Sequence, residues 1–134
     1  MTAGTDRVDV LCDSDIVAVQ RQVMRVAKQV GLSAFAITKL VTATSELARN
    51  MVVHGSGGWA EVAALDQDRR RGVRVVVSDD GPGIADLEAA MRDGYSTGGG
   101  LGLGLPGARR LADEFDIQTA PGRGTVATIV IWRR

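Results

Sequence analysis

The strongest constraint on this chain is a glycine-laden stretch over residues 79–105. It opens with Asp79-Asp80-Gly81-Pro82-Gly83-Ile84 and closes with Gly98-Gly99-Gly100-Leu101-Gly102-Leu103-Gly104-Leu105. Of the chain's 17 glycines, those at 81, 83, 94, 98, 99, 100, 102, 104 and 107 fall within it or just beyond. Glycine gives up the most conformational entropy on ordering, so this density marks backbone that turns sharply or meets a ligand closely. Residues 73–77, broken only by Arg74, read as a buried strand, and residues 105–115 read as a helix. A strand therefore runs into an acid and a Gly-Pro-Gly turn, a movable segment follows, and a glycine run feeds a helix. Backbone N–H groups at such a helix start suit a phosphate. The pattern predicts a nucleotide pocket with a lid.

The remaining composition narrows the classes. A length of 134 residues suits one domain with a true core, expected over 7–134 behind a loose tail at 1–6. The fractions of 45% hydrophobic and 24% charged residues are those of an ordinary soluble protein. Sixteen basic and 16 acidic residues cancel, which argues against a nucleic-acid partner. Cys12 is the one cysteine, so no internal disulfide forms, and with the lone His54 it makes no Cys/His metal cluster. The polar start at 1–9 lacks a signal-peptide core, and no apolar run approaches the ~18 residues of a membrane helix. The expectation is a cytoplasmic protein with no membrane contact.

In chain order, residues 7–12 alternate as a first strand. Asp13, Ser14 and Asp15 offer N-cap chemistry for a helix over 16–30, with Val19, Val23, Val26, Ala27 and Val30 as its apolar stripe and Gly31 as its stop. Ser33 caps a second helix reaching His54, with Ile37, Leu40, Val41, Thr44, Ala48 and Met51 facing inward. Residues 59–65 and 73–78 form an antiparallel pair around a solvated loop at 66–72, and 85–97 form the lid, with a helical turn near 87–91. A closing hairpin spans 116–120 and 125–132. This β-α-α-β-β-lid-α-β-β order predicts an α/β sandwich with three helices over one face of a mixed, mostly antiparallel sheet.

Glu46 and Asn50 lie four residues apart on one face of the second helix, away from its apolar stripe. A solvated surface would explain Glu46 alone. Asn is a poor mid-helix residue, however, and its amide oxygen suits a hard cation such as magnesium, which is usually shared with substrate phosphates. Asp79 ends a strand, where it either caps the turn or accepts a hydrogen bond from an adenine amino group. Gly81 and Gly83 let the backbone approach a flat base. Familiar alternatives fail: neither Lys28 nor Lys39 follows glycine, so there is no P-loop, and no lysine lies in the 73–77 strand to suggest a eukaryotic-type kinase. Gly102-Leu103-Gly104-Leu105-Pro106-Gly107 spells a dinucleotide fingerprint but lacks the preceding strand and the later ribose-binding acid.

With these residues in view, the chain resembles the GHKL (Bergerat-fold) ATPases, which include histidine kinases, type II topoisomerases and heat-shock chaperones. Ser45-Glu46-Leu47-Ala48-Arg49-Asn50 matches that family's N-box, Asp79, Gly81 and Gly83 its adenine box, Gly98, Gly100, Leu101, Gly102 and Leu103 its second glycine box, and Gly124-Thr125 its late Gly-Thr. Asp15-Ile16-Val17-Ala18, Asp93-Gly94-Tyr95-Ser96-Thr97 and Gly104-Leu105-Pro106-Gly107 sharpen the likeness toward the RsbT-type switch kinases of the bacterial stressosome, within the anti-sigma regulatory branch.

The resemblance implies an ATP-binding sandwich with a short lid and serine/threonine kinase activity. It implies Glu46 as general base, Asn50 as magnesium ligand and Asp79 as adenine contact. Ile84, Gly98, Gly99, Gly100, Leu101, Gly102, Leu103 and Thr125 complete the implied ATP site, with Mg2+ as its cation. STAS-domain stressosome proteins are the implied substrates, and a downstream phosphatase or effector is the second partner. The chain lacks the dimerisation and phosphoacceptor helices of a histidine kinase, so its target would be a separate protein. His54, at a helix end, is expected to be structural. The alternatives are a non-catalytic nucleotide-gated switch or anti-sigma factor, and a free-standing ATPase module.

Overall fold

Five apolar-alternating segments build the sheet on which the site rests. The computed structural model describes residues 3–54, 56–84, 86–87, 91, 96–97, 101–102 and 105–134, with side chains from residue 7 onward except at 96–97 and 101–102. In chain order the elements are β1 (Ala3–Val10), α1 (Asp13–Val30), α2 (Ala34–His54), β2 (Gly58–Gln67), β3 (Arg70–Asp79), β4 (Ser96–Thr97), β5 (Leu101–Gly102), α3 (Leu105–Leu111), β6 (Glu114–Thr119) and β7 (Thr125–Trp132). The main sheet has the order β1-β2-β3-β7-β6, and each of its pairings is antiparallel, so the mixed element of the expected sheet is absent among the described residues.

Several expected boundaries move for identifiable reasons. β1 begins at Ala3, and Ala3, Thr5 and Asp6, expected in a loose tail, are paired with β2 across an irregularity between Ala3 and Thr5. The solvated loop expected at 66–72 is a two-residue turn, because Asp68 and Arg69 both take positive φ (51° and 67°), the left-handed pair that closes a tight hairpin. α1 starts at Asp13, with Cys12 as its N-cap and no side-chain cap bond. Asp15 instead reaches back from the first turn to accept the Leu11 N–H at 2.9 Å, and this bond holds its carboxyl below the usual range. α3 stops at Leu111, short of the 115 expected. The Asp113 N–H is drawn to the Val130 carbonyl at 2.9 Å and Glu114 joins the ladder, so sheet pairing wins over further helix.

The core lies between the helices and one face of the sheet. The expected α1 stripe is buried throughout, Val19 and Val23 completely, against Val62, Val75 and Ile129 from the strands. Gly31 ends α1 in the left-handed conformation, its N–H bonded to Ala27 and Lys28 carbonyls, as a helix C-terminus requires. Ser33 accepts the Ala36 N–H at 3.1 Å, so the expected cap of α2 is formed. The opposite sheet face carries a small cluster of Leu65, Val130 and Trp132, with the Arg70 guanidinium 4.1 Å above the Trp132 ring.

Register sets up the functional end. Val10 pairs with Gly58, Gly58 with Asp79, Asp79 with Thr125, and Thr125 with Thr119. One row therefore crosses all five strands at the end of the sheet where α2 finishes and α3 begins.

Candidate functional site

The row ends in a cleft between α2, α3 and the strand ends. Its walls are apolar, supplied by Leu47 and Met51 of α2, Leu105 of α3, Val77, Ile117 and Ala127 of the sheet, and Ile84. Four polar side chains interrupt them: Asn50, His54, Asp79 and Thr125. A slot with apolar walls and a few fixed polar atoms at one end suits a flat heterocycle carrying polar groups on one edge.

Asp79 stands on the inward face of β3, the face that carries Val75 and Val77. Its Oδ1 accepts the Gly81 N–H at 2.8 Å, an Asx-type turn that starts the Gly-Pro-Gly reversal. Burial pushes its carboxyl above the usual carboxylate range, and neighbouring Asp80 adds to this. Hydrogen bonds from the Gly81 and Thr125 N–H groups pull the other way. A half-buried carboxylate with acceptor capacity left over favours a donor from the cleft.

The reversal is locked onto the β6–β7 turn. Gly83 has φ 75°, and a Cβ there would sit 2.1 Å from the Ala120 carbonyl oxygen. Gly124 has φ 76°, and a Cβ there would lie 2.1 Å from the Asp79 carbonyl oxygen. Neither position accommodates a side chain. The Gly122 N–H donates to the Pro82 carbonyl at 2.7 Å, and the Ile84 N–H donates to Thr119 Oγ1 at 2.9 Å. Thr119 Oγ1 in turn contacts the Gly124 carbonyl at 3.0 Å and Thr125 Oγ1 at 2.9 Å.

Of the expected site residues, the cleft brings together Asn50, Asp79, Gly83, Ile84 and Thr125, with Gly81 buried behind Asp79. Glu46 stands one helical turn before Asn50, outside the lining. Its side chain is 41% exposed and its carboxylate is 3.8 Å from the Arg49 guanidinium. Leu101 and Gly102 form β5, paired with Thr97 and Ser96 of β4. Gly98, Gly99, Gly100 and Leu103 lie outside the described residues, as does most of the expected lid. At the two described ends of the turn expected near 87–91, the Met91 N–H donates to the Leu87 carbonyl at 3.0 Å; residues 88–90 lie outside the described residues. His54, expected to be structural at a helix end, lines the cleft. Thr119 went unnoticed in the sequence because it reads as one polar residue of a closing hairpin.

The donor set can be tested against a nucleotide and a cation. The apolar slot with Asp79 and Thr125 at its edge fits a purine bearing an exocyclic amino group. For a cation, no group of three or more His, Cys, Asp or Glu gathers among the described residues. A metal here would take Asn50 and draw its remaining oxygens from phosphates and water, the usual habit of magnesium.

Comparison with known proteins agrees with this geometry. Residues 12–131 match the family model of the histidine kinase-like ATPase domain. The serine/threonine-protein kinase RsbT of Bacillus subtilis is 38% identical over 127 residues, covering 95% of this chain and 96% of that protein. An anti-sigma F factor of Clostridium novyi is 30% identical over 94 residues, 66% of each chain, and one from Thermoanaerobacter sp. is 29% identical over 96 residues, 67% of this chain and 66% of that one. With residues 12–131 matched to that model, the chain belongs to the histidine kinase-like ATPase family.

Proposed function

We propose that this chain is an ATP- and magnesium-dependent serine/threonine protein kinase of a partner-switching stress pathway. The observation that carries the reading is the convergence of Asn50, Asp79 and Thr125 on one apolar cleft, with Glu46 one helical turn away on α2. Asp79 and Thr125 take the base edge of ATP, and Asn50 is a ligand for magnesium on the phosphates. A magnesium ion held by Asn50 and the phosphates would supply neutralisation of the phosphate charge. Glu46 accepts the proton of the substrate hydroxyl as that oxygen attacks the γ-phosphorus; the bond from the γ-phosphorus to the β–γ bridging oxygen breaks, and ADP leaves. Its exposure keeps it within reach of a protein substrate.

The substrates are STAS-domain stressosome proteins, and a downstream phosphatase or effector is the second partner. This reading draws on the RsbT relative. The site of action is the cytoplasm, where ATP and such partners reside; no helix among the described residues is long and apolar enough to cross a membrane.

Incubation with γ-labelled ATP and candidate STAS proteins tests the proposal. Label should appear on a serine or threonine of the STAS protein with wild type and be lost with Glu46→Gln. Nucleotide binding without transfer to any of them would favour the second reading, a nucleotide-gated binding switch. The anti-sigma F relatives and the placement of Glu46 outside the cleft lining support that alternative.

A further inference from the structure

Thr119 does not line the cleft, yet it makes three hydrogen-bonding contacts just behind it. A threonine hydroxyl has one hydrogen and two lone pairs. The Ile84 N–H takes one lone pair of Thr119 Oγ1 at 2.9 Å. The Gly124 carbonyl, 3.0 Å away, has no hydrogen to give, so Thr119 must donate its only hydrogen there. The remaining contact, to Thr125 Oγ1 at 2.9 Å, then has one possible polarity: Thr125 donates and Thr119 accepts. Thr119 is saturated, and the Thr125 hydrogen is committed to it.

This bond has a consequence inside the cleft, where Thr125 is exposed to a ligand. With its hydrogen turned back toward Thr119, Thr125 Oγ1 offers the cleft lone pairs only. Asp79, its cross-strand neighbour, likewise offers acceptor oxygens. The polar edge of the slot is therefore uniformly accepting. It suits the hydrogens of a 6-amino group, whereas a 6-oxopurine sets an acceptor oxygen at that position and keeps a donor only at N1.

We propose that Thr119 is a specificity-determining positioning residue, which sets discrimination between 6-amino- and 6-oxopurine nucleotides by fixing the hydroxyl polarity of Thr125. The inference rests on the reading of Asp79 and Thr125 as the base-edge contacts. Removing the Thr119 oxygen leaves the Thr125 hydroxyl without its acceptor and free to turn its hydrogen into the cleft. There it can donate to a 6-oxo group that the intact site rejects. A site built to match hydrogen-bond polarity gains most of its selectivity from the mismatch it leaves in the wrong ligand.

The test is calorimetric titration of the full chain with ATP and with inosine triphosphate, which carries a 6-oxo group, for wild type, Thr119→Val, Thr119→Ser and Asp79→Asn. Thr119→Ala is carried in parallel, because it removes the same oxygen without a second methyl to crowd the turn. Wild type should prefer ATP. Thr119→Val and Thr119→Ala should narrow the ATP-to-inosine-triphosphate ratio by about tenfold, and Thr119→Ser should restore it. If both variants weaken the two nucleotides equally and leave the ratio intact, Thr119 merely braces the turn and the inference is overturned. If Asp79→Asn leaves ATP affinity unchanged, the base does not lie on this edge and the underlying reading falls with it. Loss of ATP affinity in Asp79→Asn with an unmoved ratio in the Thr119 variants would refute the relay alone.

Discussion

Asp79 and Thr125 are paired at the cleft end of the β3–β7 ladder, and both line the cleft. The two side chains proposed to meet the base thus sit on neighbouring strands, in one row of the sheet. Their spacing is set by backbone pairing and needs no loop to settle into place. Gly124, directly before Thr125, lets its chain pass against the Asp79 carbonyl where a Cβ could not fit.

Asp79→Asn should weaken ATP binding while stabilising the ligand-free protein. Burial raises the Asp79 carboxyl in the folded state, so the folded chain holds that proton more tightly than the unfolded one. Stability is then lost as pH rises from the ordinary carboxylate pKa through the raised one. At pH 7 the ligand-free variant should melt above wild type, and the gap should close below the ordinary carboxylate range. The melting shift on adding ATP should shrink, because an amide presents a donor as well as an acceptor to the adenine amino group. Wild-type ATP affinity also falls on acidification, beginning at higher pH than an unperturbed Asp would give. Equal melting temperatures with equal ATP affinities would remove Asp79 from the site.

Asn50→Ala should lower affinity for ATP with magnesium more than affinity for ATP in chelator, since only metal-held phosphates sense the missing amide oxygen. Titrations with and without magnesium separate the two. Equal losses would make Asn50 a structural residue of the cleft wall.

How much of this was legible in sequence depended on whether a residue acts alone or through a partner. Asn50, Asp79 and Gly83 carried their own signals: an amide in mid-helix, an acid at a strand end, a glycine beside a proline. The α1 stripe of Val19, Val23 and Val26 was equally plain, because burial follows the helical period. Thr119 carried none, since its role exists only once β6 is paired in register with β7. The Asp68–Arg69 turn was hidden for another reason. Left-handed conformations at residues other than glycine are uncommon, so composition gives little warning of them. The end of α3 was misplaced because helical pattern continues to Phe115 while strand pairing at Glu114 overrides it.

Glu46→Gln should leave ATP affinity nearly unchanged and slow phosphoryl transfer by ~100-fold or more, the usual worth of a general base. The substitution keeps the size of the side chain and removes the charge that faces Arg49. The exposed pair itself contributes ~0.5 kcal/mol at most, so the fold should be indifferent. Single-turnover transfer to a STAS substrate is the measurement. Transfer at the wild-type rate would show that Glu46 is an ordinary surface carboxylate.

The core contains one polar feature with no counterpart in the site. Thr44 lies on the inward face of α2 with no solvent exposure, and its Oγ1 has no hydrogen-bond partner among the described residues. A buried hydroxyl without a partner loses its hydration and gains nothing in return, a deficit of ~1–3 kcal/mol. Valine has nearly the same shape and replaces the hydroxyl with a methyl group, so the packing around Leu40, Leu47 and Ala48 need not move. Both residues are β-branched, which keeps the helix-propensity difference small. Thr44→Val should therefore stabilise the protein by ~1 kcal/mol, a rise of roughly 3–5 °C in melting temperature for a domain of this size. ATP affinity should be unaltered, since Thr44 does not line the cleft. A melting temperature at or below wild type would mean that the hydroxyl is satisfied in solution, by a buried water or by its own helix backbone.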